Sequence, residues 1–430
     1  MSLLSELSWR GLLHQATAGD ELEAHLAAAP RVGYCGFDPT SDSLHIGNYI
    51  PMKLLAHWQR AGHTPVVLMG GATGLIGDPS GRDTERQMLD RERVEANVAS
   101  HQRIFARVLD FDPSRPNAAL IVNNIDWLDD LKFLDVLRGA GKYFSVNAMI
   151  QKDSVRQRLE QREQGISYTE FSYMILQAYD FLHLRRTLEC TVQMAGSDQY
   201  GNIVAGIDLI RREAHDQAFG VTAPLVTRSD GRKMSKSSGM ALWLSADTED
   251  HTTPYAFYQY WINLPDADVV AWLKMFTFLD RDEIDELARG HEAEPHRRVA
   301  HRALARHMTA LLHGDDEVRR VEAASEAIFG GGDVRRLDGP TLREVAADLP
   351  HSSHARALLE GEGVSLVEVL AQTTLADSKR QARESLGQGA VSVNGQGAAA
   401  DRRLTVTDLL RGGTILLRRG KKSWHATEWS

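Results

Sequence analysis

The sequence predicts an α/β fold built on a doubly wound parallel sheet. Three observations point there. RVGYCGF (Arg31–Phe37) and TPVVLMGG (Thr64–Gly71) are short apolar runs of strand length, and the second ends in glycines. Between them, IGNYIPMKLLAHWQRAG carries Ile46, Ile50, Leu54, Leu55 and Trp58 at helical spacing, with Gly62 suited to the helix end. Strand, helix and strand in that order form a βαβ unit, which implies parallel strands. At 430 residues the chain exceeds one ordinary core, so two or three domains are expected.

The remaining elements follow along the chain. A helix is expected at the N-terminus. AALIVNNIDWL (Ala118–Leu128) and TLECTVQMAGSDQ (Thr187–Gln199) read as later strands with polar C-terminal ends. That is the edge where open α/β sheets bind ligands. Helical segments dominate from Asp250 to Phe329, GGGD (Gly330–Asp333) marks a linker, and a small unit begins near Gly363. Within it SKRQARESL reads as a basic helix and VSVNG as a strand ending in an Asn-Gly hairpin turn. RRLTV and TILLRRGKKSW add strands and a basic loop.

Composition excludes several classes. No run of 18 apolar residues exists, so no membrane helix is expected. The first residues lack the basic, apolar and small-residue regions of a signal peptide. Cys35 and Cys190 have no CxxC spacing and there is no HExxH, so neither a disulfide framework nor a zinc site is expected. These features suit a cytoplasmic protein. The net charge is −9, but the last 67 residues carry +4 and the rest −13. An acidic body with a basic end suits a partner that is a polyanion.

Five polar stretches carry candidate chemistry. In DSLHIGN, Asp42 or Ser43 can cap a helix whose first turn holds His45 and Asn48 on one face, with Gly47 allowing close approach of a flat ligand. This is either an ordinary capped helix or a phosphate site. GGATGLIGDPSG (Gly70–Gly81) lacks the GK[ST] ending of a P-loop, and Asp78 suits an ammonium group better than a phosphate. In YTEFSYMILQAYDFLHL (Tyr168–Leu184), Phe171, Ile175, Ala178 and Leu182 form an apolar stripe, and Tyr173, Gln177 and Asp180 form a second, polar one. The polar row is either the wet side of a helix or, if buried, a set of ligand contacts. AGSDQYGN (Ala195–Asn202) puts Gly196, Asp198 and Gln199 at a strand end, as a plain turn or a ribose site. GRKMSKSSG (Gly231–Gly239) packs three cations and three serines between glycines.

HIGN at 45–48 followed by KMSKS at 233–237 resembles the paired signatures of class I aminoacyl-tRNA synthetases. YCGFDPT, GGATGLIGDPSG, NNIDWL, KYFSVNAMI, QGISYTEFSYMILQAYDF, GSDQYGNI and LADSKRQARESLGQGAVSVNG extend the likeness over nearly the whole chain, toward the bacterial tyrosyl branch of that family. Asn48 stands where the signature has His, and KMSKS stands where many bacterial tyrosine enzymes carry a KFGK-type loop.

The resemblance implies a tyrosine–tRNA ligase. Tyrosine and ATP would give tyrosyl-adenylate and pyrophosphate, and the tyrosyl group would pass to the 3′ end of tRNA(Tyr). Thr40, His45, Lys233 and Lys236 would act on the ATP phosphates. Tyr34 and Asp180 would hold the phenol, and Asp78, Tyr173, Gln177 and Gln199 the rest of tyrosine. Cys35, Gly36, Asp38, Gly47, Asn48, Gly196, Asp198 and Gln199 would line the adenylate. ATP would bring Mg2+ as its own counterion, with no tightly bound cofactor. The implied architecture is a Rossmann-like catalytic domain (1–245) with a dimer-forming insertion (about 125–190) and the KMSKS loop (229–240). A helical anticodon-binding domain (246–330), a linker (331–362) and an S4-like RNA-binding domain (363–430) would follow. Lys379, Arg380, Arg383, Arg418, Arg419, Lys421 and Lys422 would meet tRNA, and the protein would be a homodimer. The rival readings are a tryptophanyl enzyme, a non-catalytic RNA-binding paralogue and a nucleotidyltransferase for another acid.

Overall fold

The computed structural model describes residues 2–76, 90–151, 155–156, 166–226, 241–248 and 250–430. By internal contacts the chain forms two compact units, one of residues 1–251 with 265–300, the other of residues 252–264 with 301–430.

The first unit is built on a six-stranded sheet. Its strands are β1 (Gln15–Ala16), β2 (Val32–Phe37), β3 (Thr64–Met69), β4 (Leu120–Asn123), β5 (Cys190–Gly196) and β6 (Phe219–Ala223). Their order is β1-β6-β5-β2-β3-β4, all parallel except the short antiparallel edge β1. This is the expected parallel sheet. The chain runs outward from β2 through β4 and then returns to the other side of β2 with β5. The β2/β5 boundary is therefore a topological switch point, with a crevice outside the strand ends. Two expected strands are shorter than the apolar runs suggested. Ile125–Leu128 turns into a helix after β4, and Thr187–Leu188 finishes a helix before β5.

Four helices matter for the site: α1 (Ile46–Arg60), α2 (Arg91–Phe105), α3 (Tyr168–Leu188) and α4 (Tyr200–Glu213). The apolar stripe of α1 is buried as its spacing predicts, with Ile46, Leu54, Leu55 and Trp58 out of solvent. Trp58 lies so close to β2 that a Cβ on Gly33 would be 2.7 Å from its ring, so that glycine admits the tryptophan. In α3, Met174, Ala178, Phe181 and Leu182 join one core with Ala205, Leu209 and Ile210 of α4. A Cβ on Gly206 would lie 3.0 Å from Phe181, so the glycine lets the two helices approach.

The second unit holds helices Pro254–Ile262, Asp315–Phe329 and Gly339–Asp348 and a five-stranded sheet. The strands here are β7 (His351–His354), β8 (Val364–Ser365), β9 (Val391–Val393), β10 (Gln396–Gly397), β11 (Arg403–Leu404), β12 (Thr414–Arg419) and β13 (Ser423–Trp429). The larger sheet has the order β10-β9-β12-β13-β7, and β8 pairs with β11. The Asn-Gly hairpin is present: Asn394 and Gly395 both have positive φ between β9 and β10. The expected linker 331–362 is a correction. It contains Gly339–Asp348 and β7, which pairs in parallel with β13, so it belongs to the folded unit. No local pattern in HSSH announces a strand whose partner lies 75 residues later. Among the described residues no helix is long and apolar enough to cross a membrane.

Candidate active site

A cavity of about 830 Å³ opens at the C-terminal ends of β2 and β5. Tyr34, Cys35, Gly36, Asp38, Thr40, His45, Gly47, Asn48, Tyr173, Gln177, Asp180, Gly196, Asp198 and Gln199 all line it. These residues span 166 positions in sequence and converge because the sheet returns to β2's side after β4. Asp78, Lys233 and Lys236 lie outside the described residues.

Two of the three residues in the polar row of α3 are buried rather than wet, and Gln177 is half-buried. Asp180 is 2% exposed and Tyr173 5% exposed. The Asp180 carboxylate accepts hydrogen bonds from Asn124 Nδ2 at 3.0 Å and Trp127 Nε1 at 2.8 Å. Burial pushes its pKa up to about 7, against the pull of those two donors, and the charge of Asp38 adds to the rise. Tyr34 is 1% exposed, and its hydroxyl has no hydrogen-bond partner among the described residues. Burial raises that phenol's pKa well above its usual value, and Asp180 adds to the effect. An orphan hydroxyl and a carboxylate, both lining one cavity, leave bonding capacity for a ligand with its own hydroxyl.

A second network fixes the middle of the cavity. Tyr173 OH donates to Asp38 Oδ2 and Thr73 Oγ1 donates to Asp38 Oδ1, each at 3.0 Å. Asn124 Nδ2 also donates to Thr73 Oγ1 at 3.0 Å, and its Oδ1 accepts from the backbone of Ala72. The turn must lack side chains for this: a Cβ on Gly70 would sit 2.3 Å from Asp38 Oδ1. Asn202 Nδ2 donates to Gln177 Oε1 and Gln199 Oε1, both at 3.0 Å, tying α4 to both residues.

At the start of α1 the cap differs from the one expected. His45, not Asp42 or Ser43, is the N-cap; its Nδ1 accepts from Gly47 N–H at 3.0 Å while Asn48 Oδ1 accepts from His45 N–H at 3.1 Å. The imidazole takes the capping role because it reaches its own helix's first free N–H. Asp42 and Ser43 turn instead toward residues 245–251. A Cβ on Gly47 would be 2.8 Å from His45 Cε1, so this glycine makes room for the ring as well as for a ligand.

The basic residues of the second unit lie apart from this cavity in the chain. Lys379, Arg380 and Arg383 are exposed on the helix Lys379–Gly387, and Lys421 and Lys422 are exposed in the β12–β13 turn. Arg418 and Arg419 are half-buried, and the Arg418 guanidinium lies 5.0 Å over the Trp424 ring. Lys379 pairs with Glu368 at 3.0 Å.

Sequence reasoning missed Thr73, Asn124, Trp127, Gln193 and Trp243. The stretch NNIDWL, holding Asn124 and Trp127, carried a family likeness but no periodic signal of a role. Their function depends on α3 arriving from more than 50 residues away.

Three comparisons bear on this site. The family described as tRNA synthetases class I (W and Y) matches residues 28–330, and the tyrosine–tRNA ligase SYY-like C-terminal domain matches residues 342–427. A tyrosine–tRNA ligase of Rhodopirellula baltica is 46% identical over 424 residues, covering 98% of this chain and 95% of that one. One of Opitutus terrae is 47% identical over 428 residues, covering 99% of each. A C-terminally truncated mitochondrial tyrosyl-tRNA synthetase of Aspergillus nidulans matches in structure with TM-score 0.68 and 31% identity, over 76% of this chain and 94% of that one. A tryptophanyl-tRNA synthetase of Encephalitozoon cuniculi shares the fold at TM-score 0.54 and 15% identity, over 79% and 89% of the chains.

Proposed function

The chain belongs to the tyrosyl-tRNA ligases of the class I aminoacyl-tRNA synthetase family, and from that premise we propose how its cavity divides the work. The enzyme activates tyrosine with ATP and transfers the tyrosyl group to tRNA(Tyr). In the first step a tyrosine carboxylate oxygen attacks the α-phosphorus of ATP, and the bond to the bridging oxygen breaks to release pyrophosphate. In the second, a ribose hydroxyl at the tRNA 3′ end attacks the acyl carbon and AMP leaves. Neither step needs a protein nucleophile, so positioning and stabilisation of developing charge carry the catalysis.

The phenol recognition rests on one observation above the rest: the buried Asp180 carboxylate and the orphan Tyr34 hydroxyl line the same cavity. The substrate's phenol O–H donates to Asp180 and its oxygen accepts from Tyr34. Phenylalanine leaves both groups buried without that partner. Tyrosyl-tRNA synthetases are themselves the standard example of such rejection, by ~10⁵, a magnitude that belongs to the family rather than to this geometry. An indole N–H could serve Asp180 but offers Tyr34 no acceptor. Asp78, Tyr173, Gln177 and Gln199 hold the amino acid's polar end. Cys35, Gly36, Asp38, Asn48, Gly196 and Asp198 line the adenylate, with Gly47 giving it room. Thr40 and His45 face the phosphates from one side, Lys233 and Lys236 from the other. ATP arrives with its own Mg2+.

Several coarser features support the remaining assignments. Phe133, Leu134, Val146 and Ile150 are exposed, an apolar surface that suits a homodimer contact in the stretch 125–190. The exposed cations of the helix Lys379–Gly387 and the β12–β13 turn suit tRNA phosphates, as in an S4-like module. The expected helical domain 246–330 is divided between the two units, so it is not retained as one anticodon reader. Both cysteines are unpaired and buried, as suits a cytoplasmic enzyme.

Amino-acid-dependent ATP–pyrophosphate exchange tests the reading, with tyrosine, tryptophan and phenylalanine compared in the absence of tRNA. Exchange with tyrosine alone is expected. Exchange with tryptophan would overturn the assignment of Tyr34 and Asp180.

A further inference from the structure

A buried acid–imidazole–hydroxyl chain joins the first signature to the segment that follows residue 240. Asp42 Oδ1 lies 3.1 Å from His251 Nε2, and His251 Nδ1 lies 2.9 Å from Ser245 Oγ. Ser245 Oγ lies 2.9 Å from Ser43 Oγ, and Ser43 Oγ lies 3.1 Å from the Leu44 carbonyl oxygen. Ser43, Ser245 and His251 are buried, while the Asp42 side chain is half exposed.

The same two segments are paired along their backbones. Ile46 N–H donates to Leu242 O at 2.9 Å and Leu244 N–H donates to Leu44 O at 2.8 Å. Trp243 stands between two imidazoles, 6.4 Å from the ring of His45 and 5.6 Å from that of His251. Trp243, His45 and Ser43 all line the cavity, whereas His251 does not.

The Asp42 carboxylate and the Leu44 carbonyl can only accept, so His251 Nε2 supplies the hydrogen of the contact with Asp42 and Ser43 Oγ that of the contact with Leu44. The two serines are joined twice: Ser245 Oγ donates to Ser43 Oγ at 2.9 Å, and Ser245 N–H donates to the same oxygen at 3.3 Å.

We propose that His251, held between Asp42 and Ser245, is a positioning residue for ATP. It fixes segment 242–245 on segment 43–46 and thereby sets Trp243 and His45 against the phosphate end of the cavity. The inference deepens the reading above and rests on it, because it takes the His45 end as the ATP site. Burial alone would raise the Asp42 pKa, but the contact with His251 holds it below the usual range, with a smaller pull from Arg93. The other charged and titratable groups around the relay lie mostly on α2. They are Arg93, His101, which burial holds near 4 and so neutral, and Arg103, which is paired with Asp247 at 3.2 Å. His45 faces the relay across Trp243.

The test uses the full-length protein in tyrosine-dependent ATP–pyrophosphate exchange, varying ATP, with tyrosine affinity measured separately without ATP. His251→Ala and Ser245→Ala are expected to lower kcat/KM for ATP by roughly tenfold, the scale of one hydrogen bond to a charged group, with tyrosine affinity unchanged. His251→Gln, which keeps a donor for Asp42, is expected to restore part of that loss. Should His251→Ala fail to fold, Asp42→Asn and His251→Gln read the same linkage. Unchanged ATP parameters in both alanine variants would sink the proposal, as would an equal loss of tyrosine affinity or a His251→Gln variant no better than His251→Ala. Nitrogen NMR of the His251 ring tests the relay without activity: a hydrogen on Nε2 supports it, and an Nε2 without one overturns it. Absence of exchange in the unaltered protein would instead count against the ATP site reading, which the NMR result does not depend on.

Discussion

Asp180 illustrates how one buried carboxylate sets both specificity and pH response. With its pKa raised to about 7, the empty site holds a proton that a free aspartate would have lost. As pH rises through about 7, Asp180 ionises and becomes the better acceptor for a phenol O–H. Tyrosine affinity is therefore expected to strengthen across that range, and Asp180→Asn should weaken binding and remove the dependence. Equilibrium binding of tyrosine against pH checks both. The stability sign runs the other way. The unfolded chain ionises first, so the empty protein loses stability as pH climbs from the ordinary carboxylate range to about 7. Tyr34→Phe deletes a buried hydroxyl that has no partner among the described residues. It should lower the preference for tyrosine over phenylalanine by roughly tenfold while leaving the empty protein as stable or slightly more so. Competitive exchange and thermal melting read these outcomes.

At the scale of an element, the first turn of α1 concentrates the constraints. His45 caps its own helix, Asn48 returns the bond, and Gly47 leaves room for the ring. Gly47→Ala would put a Cβ 2.8 Å from His45 Cε1 and force the imidazole out of its cap. The activation rate is expected to fall roughly tenfold to a hundredfold, the scale of a small misplacement of a reacting group, with tyrosine affinity retained. Pre-steady-state adenylate formation measures the first and equilibrium binding the second. Loss of tyrosine affinity would show that the turn serves the whole cavity rather than its ATP end.

For the whole molecule, activation and tRNA charging are expected to separate. Arg380→Glu with Arg383→Glu reverses charge on an exposed helix face far along the chain from the cavity residues. Tyrosine-dependent exchange should persist while charging weakens by roughly tenfold and loses part of its salt dependence. Aminoacylation at two salt concentrations decides it; equal loss of both activities would contradict the modular assignment. Phe133→Asp with Leu134→Asp places charge on the two most exposed large apolar side chains of the helix Phe133–Arg138. Sedimentation should then report monomer, because desolvating those carboxylates would cost more than the lost apolar contact contributes. A dimer that survives would move the interface elsewhere.

Much of this was legible along the chain because it is local. Periodicity alone marks α1 and the two stripes of α3, strand-length apolar runs mark β2, β3 and β5, and the Asn-Gly pair marks the β9–β10 turn. His45, Asn48, Tyr173, Gln177, Asp180, Gly196, Asp198 and Gln199 stand out by type and spacing, at a helix start, on one helix face or at a strand end. Tyr34, Cys35, Gly36, Asp38 and Thr40 are marked by the family resemblance alone. What the tertiary structure decided is which polar groups find partners. Asn124 and Trp127 meet Asp180 across more than 50 residues, His251 meets Asp42 across 209, and β7 meets β13 across 75. A hydrogen bond of that kind depends on positions that the sheet order brings within about 3 Å, and no repeat in a one-dimensional sequence records that distance. The sequence determined the elements and the chemistry they carry. Only the fold decided that His45, rather than its neighbours, would cap its helix, leaving Asp42 and Ser43 for the relay.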